Sequence, residues 1–240
     1  MIQNIRVGPC DHKSVWLIIL ILQLTAVALV IGSIFTPIWA TTDDGEFGLY
    51  KCDSSCSESN YKDQRKISCS ESDFADDFES ITTKNILDST CKMFTNLESA
   101  FYAYIICAGG SLFFNLVWLI SVLAFCSRKS TYICGIIFGS LSLISQILAI
   151  AFWISESNTK FNNCSDFPSD GKTPELCADH GIRVGIAALC IYFISLLTYI
   201  VLGKKVKSQL LLAESRTIKS NSAAVENSSL PDKSQQKSGF

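Results

Sequence analysis

The sequence predicts an all-α multi-pass membrane protein, a bundle of four transmembrane helices, and two observations carry that prediction. Charged residues make up 18% of the 240 residues and hydrophobic ones 48%, where a soluble domain carries about 25% charged residues. The shortfall is concentrated. Stretches 15–38, 100–126, 132–154 and 182–202 contain no Asp, Glu, Lys or His, and each supplies the roughly 20 apolar residues that cross a ~30 Å hydrocarbon core. Their apolar residues surround the helix instead of forming one stripe, as helices facing lipid require. Strands of an outer-membrane barrel would alternate over about ten residues. The same balance excludes an ordinary soluble enzyme domain, a disordered chain and a basic nucleic-acid binder.

The elements follow in chain order. Residues 1–14 carry a net charge of +1. Stretch 15–38 follows Lys13, as a signal peptide would, but its apolar run outlasts a signal core of about 7–15 residues and no small-x-small cleavage site follows it. It is expected to stay as a helix. Segment 40–99 has a net charge of −7, and the link 127–131 has +2. That link is short enough to make 100–126 and 132–154 an antiparallel hairpin. Segment 155–181 carries −3, with Arg183 in the first turn of the helix beyond it, placed to snorkel toward headgroups. Residues 203–240 carry +4 and, being rich in Ser, Lys and Gln, are expected to be a disordered tail. The positive-inside rule puts both termini and the 127–131 link in the cytosol and the two acidic segments outside, at the plasma membrane.

Eleven cysteines divide by that topology. Cys52, Cys56, Cys69, Cys91, Cys164 and Cys177 fall on the outer, oxidising side, an even number, so disulfides are expected among them. Cys164 and Cys177 are expected to pair within their own segment, where the closed ring is small. For the other four the spacing leaves the pairing open. Zinc is disfavoured because no outer Cys-x-x-Cys occurs and His180 is the only nearby imidazole, and the same absence argues against a thiol oxidoreductase. Asn163-Cys164-Ser165 is a glycosylation sequon on the outer side.

At the end of the first stretch stand Trp39, then Gly48-Leu49-Tyr50, then Cys52. This resembles the first-loop signature of the claudin superfamily (claudins, peripheral myelin and epithelial membrane proteins, calcium-channel gamma subunits): a Trp after the first helix, Gly-Leu-Trp, and two cysteines. Four helices, cytosolic ends, a long first loop and a shorter second one match in layout over about residues 15–203. The chain departs from the pattern in Tyr50 for Trp, in the close spacing of Cys52 and Cys56, in the additional Cys69 and Cys91, and in Phe101 where claudins commonly carry Arg. Cys52 could therefore pair with Cys56 or with Cys69. The resemblance implies a left-handed four-helix bundle bearing a small, disulfide-stapled, extracellular antiparallel β-sheet. Local support for a strand is the aromatic and apolar mix at 46–52 behind an Asp-Gly turn. Trp39 and Tyr50 read either as packing against that sheet or as aromatic-belt anchors of helix ends. The resemblance also implies work at cell–cell contacts, by adhesion or barrier formation, with the alternative of a regulatory subunit packed against a pore-forming channel chain. Partners would be the bilayer, the protein itself in cis or trans, or that channel chain. In claudin-like assemblies acidic first-loop side chains favour cations, which draws attention to Asp73, Asp76, Asp77 and Glu79; a simpler account is that they keep an exposed loop soluble.

Chemistry is sparse. No catalytic constellation, metal-ligand motif or phosphate cradle occurs, and His12 and His180 fall on opposite membrane faces, so neither enzyme activity nor a cofactor is expected. Within the apolar stretches the polar residues Gln23, Asn115, Ser142, Ser145 and Gln146 are neutral, unlike those of a pump. Hydrogen bonds between helices, worth about 0.6–2 kcal/mol each, account for them. Gly135 and Gly139 have GxxxG spacing, and Gly109-Gly110 would permit close helix approach. On the cytosolic side Cys126 and Cys134 flank the inner hairpin and are candidates for S-palmitoylation. Ser238-Gly239-Phe240 fits the carboxyl terminus that a PDZ scaffold captures by strand addition.

Overall fold

The structure is a computed structural model that describes residues 6–7, 10–42, 45–50, 52–53, 60–74, 81–125, 131–161 and 175–228. A short hairpin, β1 (Arg6–Val7) and β2 (Cys10–Asp11), leads into α1 (His12–Phe35). Then come strands β3 (Ala40–Thr42), β4 (Gly45–Phe47) and β5 (Cys52–Asp53), and helices α2 (Tyr61–Phe74), α3 (Ile81–Phe125) and α4 (Thr131–Glu156). Strands β6 (Thr159–Lys160) and β7 (Leu176–Ala178) precede the last helix, α5 (His180–Ser228). Among them α1, α3, α4 and α5 are the four helices long and apolar enough to cross a membrane. The protein is a multi-pass membrane protein.

Two helices overrun the limits that hydropathy sets. Helix α3 has 45 residues, about 67 Å at 1.5 Å per residue, more than twice a hydrocarbon core. Its first half, assigned from the sequence to the 40–99 segment, is helical because a buried stripe of Met93, Phe94, Leu97 and Ala100 continues without a phase break into Tyr104, Ala108, Ser111, Asn115 and Trp118. Helix α3 packs most extensively on α4 and next on α2, and along the stripe Tyr104 meets Ser33 of α1 and Trp118 meets Tyr199 of α5. Helix α5 runs to Ser228, well past the apolar stretch that ends at 202, and Val206 is still wholly buried there. Helix α2 was not anticipated. Asn60 caps it by accepting the Asp63 amide on Oδ1 at 3.0 Å, and Asp63 adds an acid to the first turn.

The sheet is five-stranded in the order β5-β4-β3-β7-β6. It differs from the expected wholly antiparallel one, because β6 and β7 pair in parallel, Thr159 opposite Leu176. The other pairings are antiparallel, with Ala40 opposite both Phe47 and Ala178. Period-two alternation gives the sheet a buried face of Ala40, Phe47, Thr159, Leu176 and Ala178, and leaves Glu46 and Lys160 exposed. Two junctions fix where it sits. Strand β3 leaves α1 through Trp39, and Asn158 ends α4 in the left-handed conformation (φ 53°) that an amide side chain tolerates, turning the chain into β6.

The bundle holds itself by small residues and aromatics. A Cβ on Gly135 would lie 2.2 Å from the Tyr199 hydroxyl oxygen, and one on Gly139 2.8 Å from Leu196 and 3.0 Å from Trp118. The GxxxG spacing therefore serves contacts inside this chain. Gly109 does not: nothing stands within 4 Å of a Cβ there, and Gly110 meets only Ser145 at 3.8 Å.

Candidate interaction surface at the sheet-capped end

Trp39 joins every layer at this end. Its backbone N–H donates to the Phe47 carbonyl at 2.7 Å, its carbonyl accepts from Asp179 at 3.0 Å, and the neighbouring Ile38 carbonyl accepts from Gly181 at 2.9 Å. The indole N–H donates to the Ser33 carbonyl at 2.8 Å, in the last turn of α1, where that oxygen also accepts the Thr36 amide at 3.3 Å. Ser33 Oγ in turn shares a hydrogen bond with the Tyr104 hydroxyl at 2.7 Å. Tyr104 and Trp153 pack their rings on the indole at centroid distances of 4.6 and 4.9 Å. From α5 the backbone of Gly181 comes so close that a Cβ would lie 2.4 Å from the indole ring. Trp39 is 0% exposed, so of the two readings for this residue the aromatic-belt anchor is excluded.

The rest of the motif divides. Gly48 and Leu49 are buried, and the Tyr61 hydroxyl donates to the Gly48 carbonyl at 2.5 Å. Burial pushes the Tyr61 phenol well above its ordinary value. Tyr50, by contrast, is 53% exposed. Its ring lies 5.3 Å from that of Phe101, which lies 5.2 Å from that of Tyr102. Successive rings meet at 55° and 56°, so the three form a folded wall.

Helix α2 is fastened to α3. Cys69 and Cys91 form a disulfide across a separation of 22 residues, which excludes the Cys52–Cys69 alternative. One step further along the same seam Arg65 Nε meets Glu98 Oε2 at 3.1 Å. Between the two helices and the aromatic wall lies an open cleft of about 60 Å³, lined by Tyr50, Tyr61, Lys62, Glu98, Phe101 and Tyr102 among others. Sequence reasoning missed this place. The signals available were the 3.6-residue stripe from Met93 onward and the cap at Asn60, while the meeting of Tyr50 with Phe101 had none.

The remaining sequence-predicted residues are distributed as follows. Cys177, on β7, is disulfide-bonded. Cys52 lies on β5. Cys134 is a free, exposed thiol on α4. Asp73 falls on α2. Cys56, Asp76, Asp77, Glu79, Cys126, Asn163, Cys164, Ser238 and Phe240 lie outside the described residues.

The polar residues of the bundle do not all pair as expected. Ser111 and Ser142 do, each Oγ donating to the other's carbonyl, at 3.0 and 2.9 Å, which ties α3 to α4. Both amide atoms of Gln23 and of Gln146 and the amide oxygen of Asn115 are buried with no hydrogen-bond partner among the described residues. Burial between helices was legible in these residues; partnership was not.

The fold and this end of it define a sheet-capped, four-helix membrane protein. No protein-family model matches the chain, and no curated protein matches it.

Proposed function

We propose that this is a non-enzymatic tetraspan of claudin type, acting at cell–cell contacts of the plasma membrane through the end of the bundle that carries the sheet. In this reading both termini are cytosolic and segments 40–99 and 155–181 face outward, as their net charges of −7 and −3 favour. The observation that carries the reading is the union of those two segments in one sheet: β3, from the first, pairs with β7, from the second, and Trp39 anchors the joint. Two loops joined in that way make a rigid platform at one pole of the molecule, and a platform of this kind is suited to meeting another protein rather than to conducting or converting a small molecule.

The test is a mixing experiment. Cells with little adhesion of their own, expressing the tagged full chain, are mixed with non-expressing cells, and fluorescence at contacts between two expressers is compared with that at contacts bearing one. Enrichment confined to paired contacts is the expected result. Equal fluorescence at both, with normal surface delivery, would overturn recognition in trans and turn attention to co-purifying channel chains.

A further inference from the structure

The cleft between α2 and α3 has a composition that selects its occupant. Three aromatic rings, those of Tyr50, Phe101 and Tyr102, form one wall, and Tyr50 and Tyr102 are 53% and 51% exposed. Aromatic faces attract quaternary ammonium groups, which shed water easily and meet the negative face of the ring. The charges in and beside the cleft nevertheless disfavour a simple cation, since the one acid of its lining, Glu98, is already met by Arg65 of α2. Glu98 and Arg65 offset one another at 3.1 Å, and exposed Lys62, which lines the mouth, has no ion pair among the described residues. The net charge of these three groups is +1. A simple anion would meet Lys62 but have no use for the rings. A zwitterion whose cation is apolar and whose anion is exposed satisfies both.

Position narrows the choice. Tyr102 stands at the start of the charge-free apolar stretch 100–126, directly after Glu98, while Lys62 and Arg65 belong to the polar helix α2. The cleft therefore straddles the level at which apolar helix surface gives way to charged surface, the level of lipid headgroups. Tyrosines with exposed rings are suited to that level, since one end of the side chain is apolar and the other polar. We propose that the cleft seats the phosphocholine headgroup of a bilayer lipid, its trimethylammonium against Tyr50, Phe101 and Tyr102 and its phosphate at Lys62. The acyl chains of such a lipid run down the exposed apolar side of α3, where Ile106 and Phe113 are 72% and 62% exposed. This inference requires only the four-helix membrane fold and is independent of what the protein does at cell contacts.

The full chain, purified in a nonionic detergent, is titrated with dioleoylphosphatidylcholine and with the ethanolamine and glycerol lipids of the same chains, and retained lipid is counted by native mass spectrometry. The choline lipid is expected to be retained about fivefold over each of the others. Tyr50→Ala, at an exposed position that leaves the fold intact, brings the ratio close to one, whereas Tyr50→Phe keeps it because the ring remains. Lys62→Glu lowers retention of the choline lipid as well. Equal retention of all three lipids would overturn the proposal, as would preference for the anionic glycerol lipid or a choline preference that survives the double change Tyr50→Ala and Tyr102→Ala. Free phosphocholine, lacking acyl chains, is expected to be retained far less than the lipid; equal retention would overturn the lipid as its source.

Discussion

Trp39 and Tyr50 belong to one short motif, flank one hairpin and carry similar rings, yet they lie in opposite environments. Trp39 is 0% exposed, with its indole N–H and both backbone groups in hydrogen bonds and two aromatic rings and a glycine against its faces. Tyr50 is 53% exposed and touches one neighbouring ring at the rim of an open cleft. The difference teaches that the motif has two functions. Its first residue holds sheet and helices together, and its last is left free to meet something else. Substitutions on the Trp39 side should therefore alter stability, and those on the cleft side should alter recognition.

The largest effect should come from Trp39→Ala, which removes a fully buried aromatic and leaves Gly181 facing a void. A loss of about 4 kcal/mol is expected, read as a fall in the denaturant midpoint of the detergent-solubilised protein. Next, replacing Cys69 and Cys91 together by Ser frees a 22-residue loop and should cost about 3 kcal/mol. Here protease cutting should begin within α2 while the four long helices stay protected. Gly181→Ala presses a methyl group into the indole and should cost about 2 kcal/mol, whereas Gly109→Ala, with open space around it, should leave the thermal midpoint unchanged or slightly raised. A Gly181→Ala variant as stable as the parent would mean that the close approach to Trp39 is not rigid.

Tyr61 sharpens the comparison, since it lies on the border between the two sides. Tyr61→Phe removes one hydrogen bond, that to the Gly48 carbonyl, and should cost about 1 kcal/mol. Because burial raises the folded-state value of this phenol above that of the unfolded chain, the unfolded state gives up its proton first. The contribution is therefore complete below about pH 10, the ordinary value for tyrosine, and is lost as pH rises beyond it. Denaturant midpoints measured on either side of pH 10 should fall in the parent and fall less steeply in Tyr61→Phe. Smallest of all should be Tyr50→Ala, within about 0.5 kcal/mol in stability as for other exposed positions, and it is there that a change in lipid retention without a change in midpoint would separate the two sides most cleanly.

Much of this end of the molecule lay partly within reach of the sequence. The stripe Met93, Leu97, Ala100, Tyr104, Ala108 is a helical pattern, but a boundary set by the absence of charge falls just after Glu98 and leaves the first half of the helix outside it. Asn60 followed by Asp63 is a helix start, yet the polar composition of 61–74 concealed it. Gln23 and Gln146 were recognisable as buried, but whether a buried amide finds a partner depends on a fraction of an ångström in the packing of another helix.

What the sequence by itself determined is the number of membrane crossings and the sign of charge between them. Insertion into a bilayer depends on the apolar content of each stretch taken alone, and that property is written along the chain. The tertiary structure decided which strand of one segment pairs with which of the other, that Cys69 meets Cys91, that Gly181 must be bare so that Trp39 can lie beneath it, and that Tyr50, Phe101, Tyr102 and Lys62 surround one cleft. Each of these is a contact between segments distant in sequence, and its energy exists only once the helices between them have packed.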